Sequence, residues 1–282
     1  MICLEPIYLK ELKVSVPCGR CPKCRAKKSQ DWQFRLYQEY RHAESAYFLT
    51  ITYNEDHIPI WINKETGEYK TNLVVKDLQA FIKALRKKQD QYQYKYQKRK
   101  TMQETRQNNA RIRYHAVGEY GDHTDRAHYH MLLFNVEPII KNRLDEIWKK
   151  GHVHIGTCNA KTIAYTLKYV LKTPTKRTTG REARRSIKQQ TPFSISSRNP
   201  AIGYQYLTTH RKYHITTDTT TVRDINGNKI PLPLYYKDKI FGKIQRDRLN
   251  LKSKKYVIEA ELKEDLRICL LNQIPEKYYN EQ

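Results

Sequence analysis

The sequence predicts an α+β fold: a central antiparallel β-sheet packed by helices, with a C-terminal extension beyond it. Three observations lead there. Tyr47–Asn54 is a run of β-branched and aromatic residues, the composition of a pleated, half-buried strand. His128-Tyr129-His130 alternates and then enters the apolar run Met131–Phe134, which reads as a second strand with both imidazoles on one face. Between and after these strands, Leu78, Phe81, Ile82 and Leu85 form an apolar stripe at helical spacing, and residues 161–172 form a second helical segment.

In chain order, a first helix is expected over about Ser29–Ser45, capped by Ser29, with Trp32, Leu36, Tyr37, Tyr40 and Ala43 inward. The strand 47–54 follows, then a hairpin over 61–69 turning at Gly67. The helix 76–88 leads into a Gln/Tyr/Lys-rich stretch, 89–109, that reads either as its extension or as a loop. Ile112–Gly118 is a strand that brings Glu119 to its end; a Gly/Asp/Thr-rich turn returns the chain through His128 to Asn135. Pro138 opens a helix with Ile139, Ile140, Leu144, Ile147 and Trp148 on its face. His152-Val153-His154-Ile155 alternates as a further strand, and without a nearby carboxylate its histidines read as structural. Asn159 is a suitable N-cap for the helix 161–172, which Thr173-Pro174 ends because the residue before proline avoids the helical region. Residues 192–203 read as a turn-rich strap, 224–229 as a hairpin turn and 246–271 as a helix. The domain division expected is 1–190 and 191–282, the latter an accessory region.

Lys and Arg number 53 against 29 Asp and Glu, for a formal charge of +24 that calls for a polyanionic partner. The 22 tyrosines scattered among these cations suit base stacking, which favours nucleic acid over a lipid surface. Lys83–Arg113 holds eleven basic residues against two acids, so Lys87, Lys88, Arg99, Arg111 and Arg113 are expected to contact DNA, as are Lys176 and Arg177. No apolar run approaches the ~20 residues of a membrane span. No signal peptide or Walker A loop is visible, which argues for an intracellular protein and against an ATP-driven helicase.

Three patterns carry chemistry. Two imidazoles on one strand face are costly in an apolar setting unless bound, and Glu119 nearby would complete a facial divalent-metal site. Surface histidines on an edge strand are the plain alternative. Tyr165 and Tyr169 are four apart and emerge on one helical face, with Lys168 and Lys172 repeating that spacing. A phenol with a pKa of roughly 10 needs a cation or metal to attack as phenolate, and a lysine one turn away also stabilises developing phosphate charge. A helix whose tyrosines simply pack has the same spacing. Cys18, Cys21 and Cys24 form two overlapping C-x2-C units, the spacing of a structural Zn2+ site. Its fourth ligand is open among Cys3, His42 and Cys158, and a turn carrying reduced thiols is the alternative.

Taken together, the cysteine cluster 17–25, Phe48-Leu49-Thr50-Ile51-Thr52-Tyr53-Asn54, the block 118–134 and the doubled Y-x-x-K resemble an HUH-type rolling-circle replication initiator. The similarity is greatest to those of small single-stranded-DNA phages of the microvirus group, gokushovirus-like, and spans most of residues 3–172. Phe193–Gly203 is a weaker point of likeness. The resemblance implies an HUH endonuclease palm of RRM-like form and His128, His130 and Glu119 as ligands of Mg2+ or Mn2+. It implies Tyr165 and Tyr169 as nucleophiles, assisted by Lys168 and Lys172. The expected activity is nicking and rejoining of a single-stranded origin through a 5′-phosphotyrosine. The host replication helicase and polymerase are the implied partners, and the host bacterial cytoplasm the location. A transposase or relaxase sharing this chemistry, or a non-catalytic zinc-stabilised nucleic-acid-binding protein, are the competing readings.

Overall fold

The computed structural model describes residues 3–11, 14–63, 65–96, 111–121, 123–171, 189–243, 245–246 and 248–249. Five strands form an antiparallel sheet: β3 (Ala46–Tyr53), β6 (Arg113–Tyr120), β7 (Ala127–Phe134), β8 (Gly151–Thr157) and β9 (Phe193–Ser196). Their order is β8-β3-β7-β6-β9, so the strand carrying His128 and His130 is central, as expected. Two small hairpins, β1 (Ile7–Leu9) with β2 (Val14–Val16) and β4 (Ile60–Ile62) with β5 (Tyr69–Thr71), stand outside it.

Period-two alternation divides the sheet into two differently covered faces. One face presents Leu49, Ile51, Tyr129, Met131 and Leu133 to α2 (Val75–Tyr96) and to two short helices, α3 (Pro138–Lys141) and α4 (Leu144–Trp148). Tyr129, between the two histidines, is fully buried here, its hydroxyl 2.7 Å from that of Tyr53 and accepting from the Val74 N–H at 2.9 Å. The opposite face presents Val117, Leu132 and Phe134 to α1 (Pro22–His42) and α5 (Ala160–Leu171). This apolar cluster covers only part of that face and leaves the row of His128 outside it. Gly151 starts β8 at φ +153°, where a Cβ would lie 2.2 Å from the Thr52 carbonyl oxygen. Only glycine allows the edge strand to begin so close to β3.

Several expected boundaries move, each for a visible reason. Helix α1 begins at Pro22 rather than Ser29, because Pro22 occupies the first turn, where its missing N–H costs nothing. Helix α2 continues past Lys88 to Tyr96 although its apolar stripe stops. Its inward positions there are Gln89 and Gln93, which bond the Asn135 carbonyl and the Glu137 carboxylate at 2.8 and 3.0 Å. The helix expected from Pro138 is interrupted into α3 and α4.

The chain divides into units 1–206 and 207–282. The strap expected after residue 190 supplies strand β9, which pairs with β6 from His115↔Ser196 to Gly118↔Phe193, so the sheet extends past that boundary. The helix α6 (Gln205–Thr217), not anticipated from sequence, runs into the second unit. There the hairpin β10 (Thr221–Arg223) and β11 (Lys229–Pro231) turns at Gly227 as expected and precedes α7 (Leu234–Ile240). The helix expected over 246–271 falls almost wholly outside the described residues. Among the described residues no helix is long and apolar enough to cross a membrane.

Candidate metal and tyrosine site

The register of β6 against β7 places Glu119 directly opposite His128 and Val117 opposite His130. Cross-strand partners share a sheet face, so the carboxylate and both imidazoles meet on the side that α5 approaches. Nε2 of His128 and Nε2 of His130 lie 3.0 and 2.9 Å from one oxygen, Oε1 of Glu119. The rings stand nearly perpendicular, 82° apart with centroids 5.1 Å distant. Burial by itself would raise the Glu119 carboxyl, but hydrogen bonds from the two imidazoles outweigh it and hold the group below its ordinary range.

Each imidazole is also held from behind. Nδ1 of His128 lies 3.0 Å from the Arg126 carbonyl, and Nδ1 of His130 lies 3.1 Å from the Thr50 hydroxyl. A carbonyl oxygen only accepts, so Nδ1 of His128 carries a proton and the neutral ring turns the Nε2 lone pair toward Glu119. Two acceptors facing each other at that distance need a proton or a cation shared between them. Oxygen and nitrogen ligands on adjacent octahedral positions about 2.1 Å from an ion would be about 3.0 Å apart, the spacing found here. Glu119, His128 and His130 therefore fit Mg2+ or Mn2+, with ring orientations fixed by outer partners as such sites require.

The tyrosine helix is placed by its own cap. Asn159 Oδ1 accepts from the Thr162 N–H at 3.0 Å while Thr162 Oγ1 accepts from the Asn159 N–H at 2.8 Å, a reciprocal box at the first turn. Ile163, Thr166 and Leu167 face inward, which turns Tyr165 and Lys168 outward. The Tyr165 ring reaches the metal triad: its centroid is 5.2 Å from that of His130, and Phe48 packs against both rings. Tyr165 retains 41% exposure, so its ring is shelved against the site without being enclosed by it. Tyr169 follows one turn later on α5; its side chain, like Lys172, lies outside what is described.

The expected DNA contacts separate into different groups. Lys87, Lys88 and Arg111 are exposed, with Lys87 and Arg111 lining a cleft of about 630 Å3 together with Lys83, Arg86 and Tyr114. Lys87 and Lys88 project from α2, which covers the sheet face opposite the triad. Arg113 is not at the surface at all, and its expected phosphate contact is corrected. Its guanidinium is 5% exposed and forks onto the buried carboxylate of Glu39, while also donating to the Pro200 and Ala201 carbonyls at 3.0 and 2.8 Å. Charge density in a sequence window does not distinguish a cation facing solvent from one committed to a buried partner. Arg99, Lys176 and Arg177 lie outside the described residues.

Thr50 and Phe48, which orient and shelve His130, carry no signal of their own in the sequence; only the pairing Thr50↔His130 brings them in. His152 and His154 also lie on the triad's face, across β3 opposite Thr52 and Thr50, exposed and separate from the triad. Cys18, Cys21 and Cys24 gather with Cys3 at the start of α1.

Comparison with known proteins follows the same stretch of chain. Residues 46–174 match the family model of the replication-associated protein ORF2, a span from β3 through the end of the tyrosine helix. The replication-associated protein VP4 of Bdellovibrio phage phiMH2K is 26% identical over 250 residues, covering 81% of this chain and 69% of its own. Replication-associated protein ORF4 of Chlamydia phage 1 is 26% identical over 85% of this chain and 57% of its own. Replication-associated protein ORF2 of Spiroplasma virus 4 is 28% identical over 56% of this chain and 48% of its own. The chain thus spans between about half and two thirds of the length of these relatives. They support a phage rolling-circle replication initiator.

Proposed function

We propose, from the match to the replication-associated protein family as premise, that this chain nicks and rejoins a single-stranded origin with Tyr165 as the attacking residue. The observation that carries the reading is the meeting of two elements. The ring of Tyr165 lies 5.2 Å from that of His130, whose Nε2 converges with His128 on Glu119. When bound at Glu119, His128 and His130, Mg2+ or Mn2+ would polarise a phosphate oxygen and orient the scissile group.

The side chains account for the remaining roles. Tyr165 Oη attacks the phosphorus in line and gives up its proton; the bond from phosphorus to the 3′ oxygen breaks, and that oxygen leaves as a 3′-hydroxyl. The product is a 5′-phosphotyrosine and a primer end, with no net oxidation and no water consumed. Lys168, one turn along on the exposed side of α5, offsets charge developing on the phosphate. Tyr169 is the second nucleophile: after one round of synthesis it would attack a new phosphodiester, and the freed 3′-hydroxyl would displace the first tyrosine to close a circle. Lys172 would serve Tyr169 as Lys168 serves Tyr165. The host helicase and polymerase would extend the primer, in the bacterial cytoplasm.

The test is covalent capture of a labelled single-stranded origin oligonucleotide with Mn2+ on a denaturing gel. Tyr165→Phe should remove the first-strand adduct, and Tyr165→Phe with Tyr169→Phe should remove every adduct while leaving DNA binding within about twofold. His128→Ala with His130→Ala should remove metal-dependent cleavage. Adduct persisting in the double tyrosine variant would refute the assignment.

A further inference from the structure

Far from the triad in sequence, four cysteines close on one another at the start of α1. Cys3 precedes the β1–β2 hairpin, Cys18 follows it, and Cys21 and Cys24 occupy the N-cap and first turn of the helix. Their sulfurs all lie within 4.8 Å of one another, with Cys3 Sγ 3.5 Å from Cys18 Sγ and 3.8 Å from Cys21 Sγ. None of the four is in a disulfide. A disulfide needs its sulfurs about 2.05 Å apart, whereas four thiolates bound tetrahedrally at about 2.3 Å from zinc are separated by about 3.8 Å. The observed spacing has the second dimension.

The backbone is arranged for sulfur that carries charge. The Cys18 N–H donates to Cys3 Sγ and the Cys21 N–H to Cys18 Sγ, both at 3.3 Å. Such N–H···S bonds orient thiolate ligands and spread their charge. Arg20, Lys23 and Arg25 lie among the ligands and oppose the excess negative charge that four thiolates leave around a divalent ion. Of the three residues that could have supplied the fourth ligand, Cys158 is buried in the cluster of Val117 and Leu132, and the His42 ring nitrogen lies 2.7 Å from the Gln38 carbonyl. Among the described residues, Cys3 is the one that joins the other three.

The hairpin supplies an independent reason for a crosslink. Ile7, Tyr8, Leu9 and Val14 are exposed, and β1 and β2 pair with nothing else in the described chain. An isolated two-stranded hairpin is marginal in water, and this one contributes none of its strand residues to the apolar clusters. We propose that Cys3, Cys18, Cys21 and Cys24 bind one Zn2+ that ties the N-terminal hairpin to the first turn of α1. Binding releases the thiol protons and involves no redox change. The chain then holds two metal centres of opposite character: a thiolate site for a soft ion and a carboxylate–imidazole site for a hard one. This centre does not depend on the nicking chemistry.

The experiment is metal analysis of the full chain purified under reducing conditions without chelator, paired with Co2+ substitution. The expected result is about one zinc per chain. The expected cobalt form shows the intense visible bands of tetrahedral thiolate coordination. His128→Ala with His130→Ala should keep both signals, Cys158→Ser should keep them, and Cys3→Ser should weaken Zn2+ retention at least about tenfold. Zinc removal from the unaltered chain should expose residues 4–17 to proteolysis before the rest, a readout that needs no variant to fold. Folded protein lacking zinc and failing to give the cobalt thiolate spectrum would overturn the proposal. So would zinc lost with the histidines and kept in Cys3→Ser.

Discussion

His115 shows how far a single side chain can depart from what its position suggests. It lies on β6 two residues before Val117, is 1% exposed, and stacks at 5.0 Å on Trp32 with neither ring nitrogen bonded. Burial, helped by the positive charge of Arg35, pushes its pKa down to about 3. The folded form therefore stays neutral while an unfolded His115 takes up a proton below about pH 6.5. Between those values the unfolded state binds more protons, so stability falls as pH falls. By pH 5 the loss attributable to this residue should be about 2 kcal/mol. His115→Leu should remove that loss, giving a variant whose stability in urea depends less on pH between 7 and 5 than the unaltered chain's. Equal dependence in both would mean that the ring is not held neutral. Glu39 and Arg113 make the complementary case, buried charges satisfied by each other, by the Gly203 N–H and by two carbonyls.

At the scale of the element, periodicity located strands and helices better than it located their ends. The strand residues 47–53 and 128–134 were legible because alternation or β-branched composition is a local property. The tyrosine helix was legible too, since Asn159 and the Thr-Pro that follows bracket it. Its cap carries a direct consequence: Asn159→Ala removes the acceptor for the Thr162 N–H and should cost about 1 kcal/mol in a thermal or urea titration. The loss should be larger in adduct yield than in DNA affinity, because the first turn of α5 sets where Tyr165 stands; equal losses would assign the cap to stability alone. Helix α2 beyond Lys88 was illegible because Gln89 and Gln93 replace apolar contacts with hydrogen bonds, and no hydrophobic period records that. Strand β9 was equally hidden, being a short edge strand whose partner, β6, lies far away in sequence.

For the whole molecule, the net charge of +24 makes binding to DNA an exchange of counterions. Affinity for single-stranded DNA should fall linearly on logarithmic axes as salt rises, and a flat dependence would exclude a phosphate-dominated surface. Lys87→Ala with Lys88→Ala should reduce the slope by about 1.4 for two lost phosphate contacts, with stability unchanged. Arg113→Ala should instead cost about 3–5 kcal/mol of stability, because it strands the Glu39 carboxylate in the interior. The two outcomes separate cations that meet a ligand from a cation that builds the fold. An unchanged salt slope in the lysine variant would place the DNA path away from the outer side of α2.

What the sequence by itself determined was the inventory: a basic chain, two imidazoles on one strand face, two tyrosines at helical spacing and thiols in C-x2-C steps. These are legible because alternation, helical period and loop spacing depend on neighbours along the chain. Tertiary structure alone decided the partnerships. The β6–β7 register brought Glu119 opposite His128, the packing of α5 set Tyr165 beside His130, and the hairpin returned Cys3 to Cys18 and Cys21. It also turned Arg113 inward, where no charge count could have placed it. A one-residue change of register would send Glu119 to the other face and leave the same sequence without its metal site, which is why pairing, and not composition, decides it.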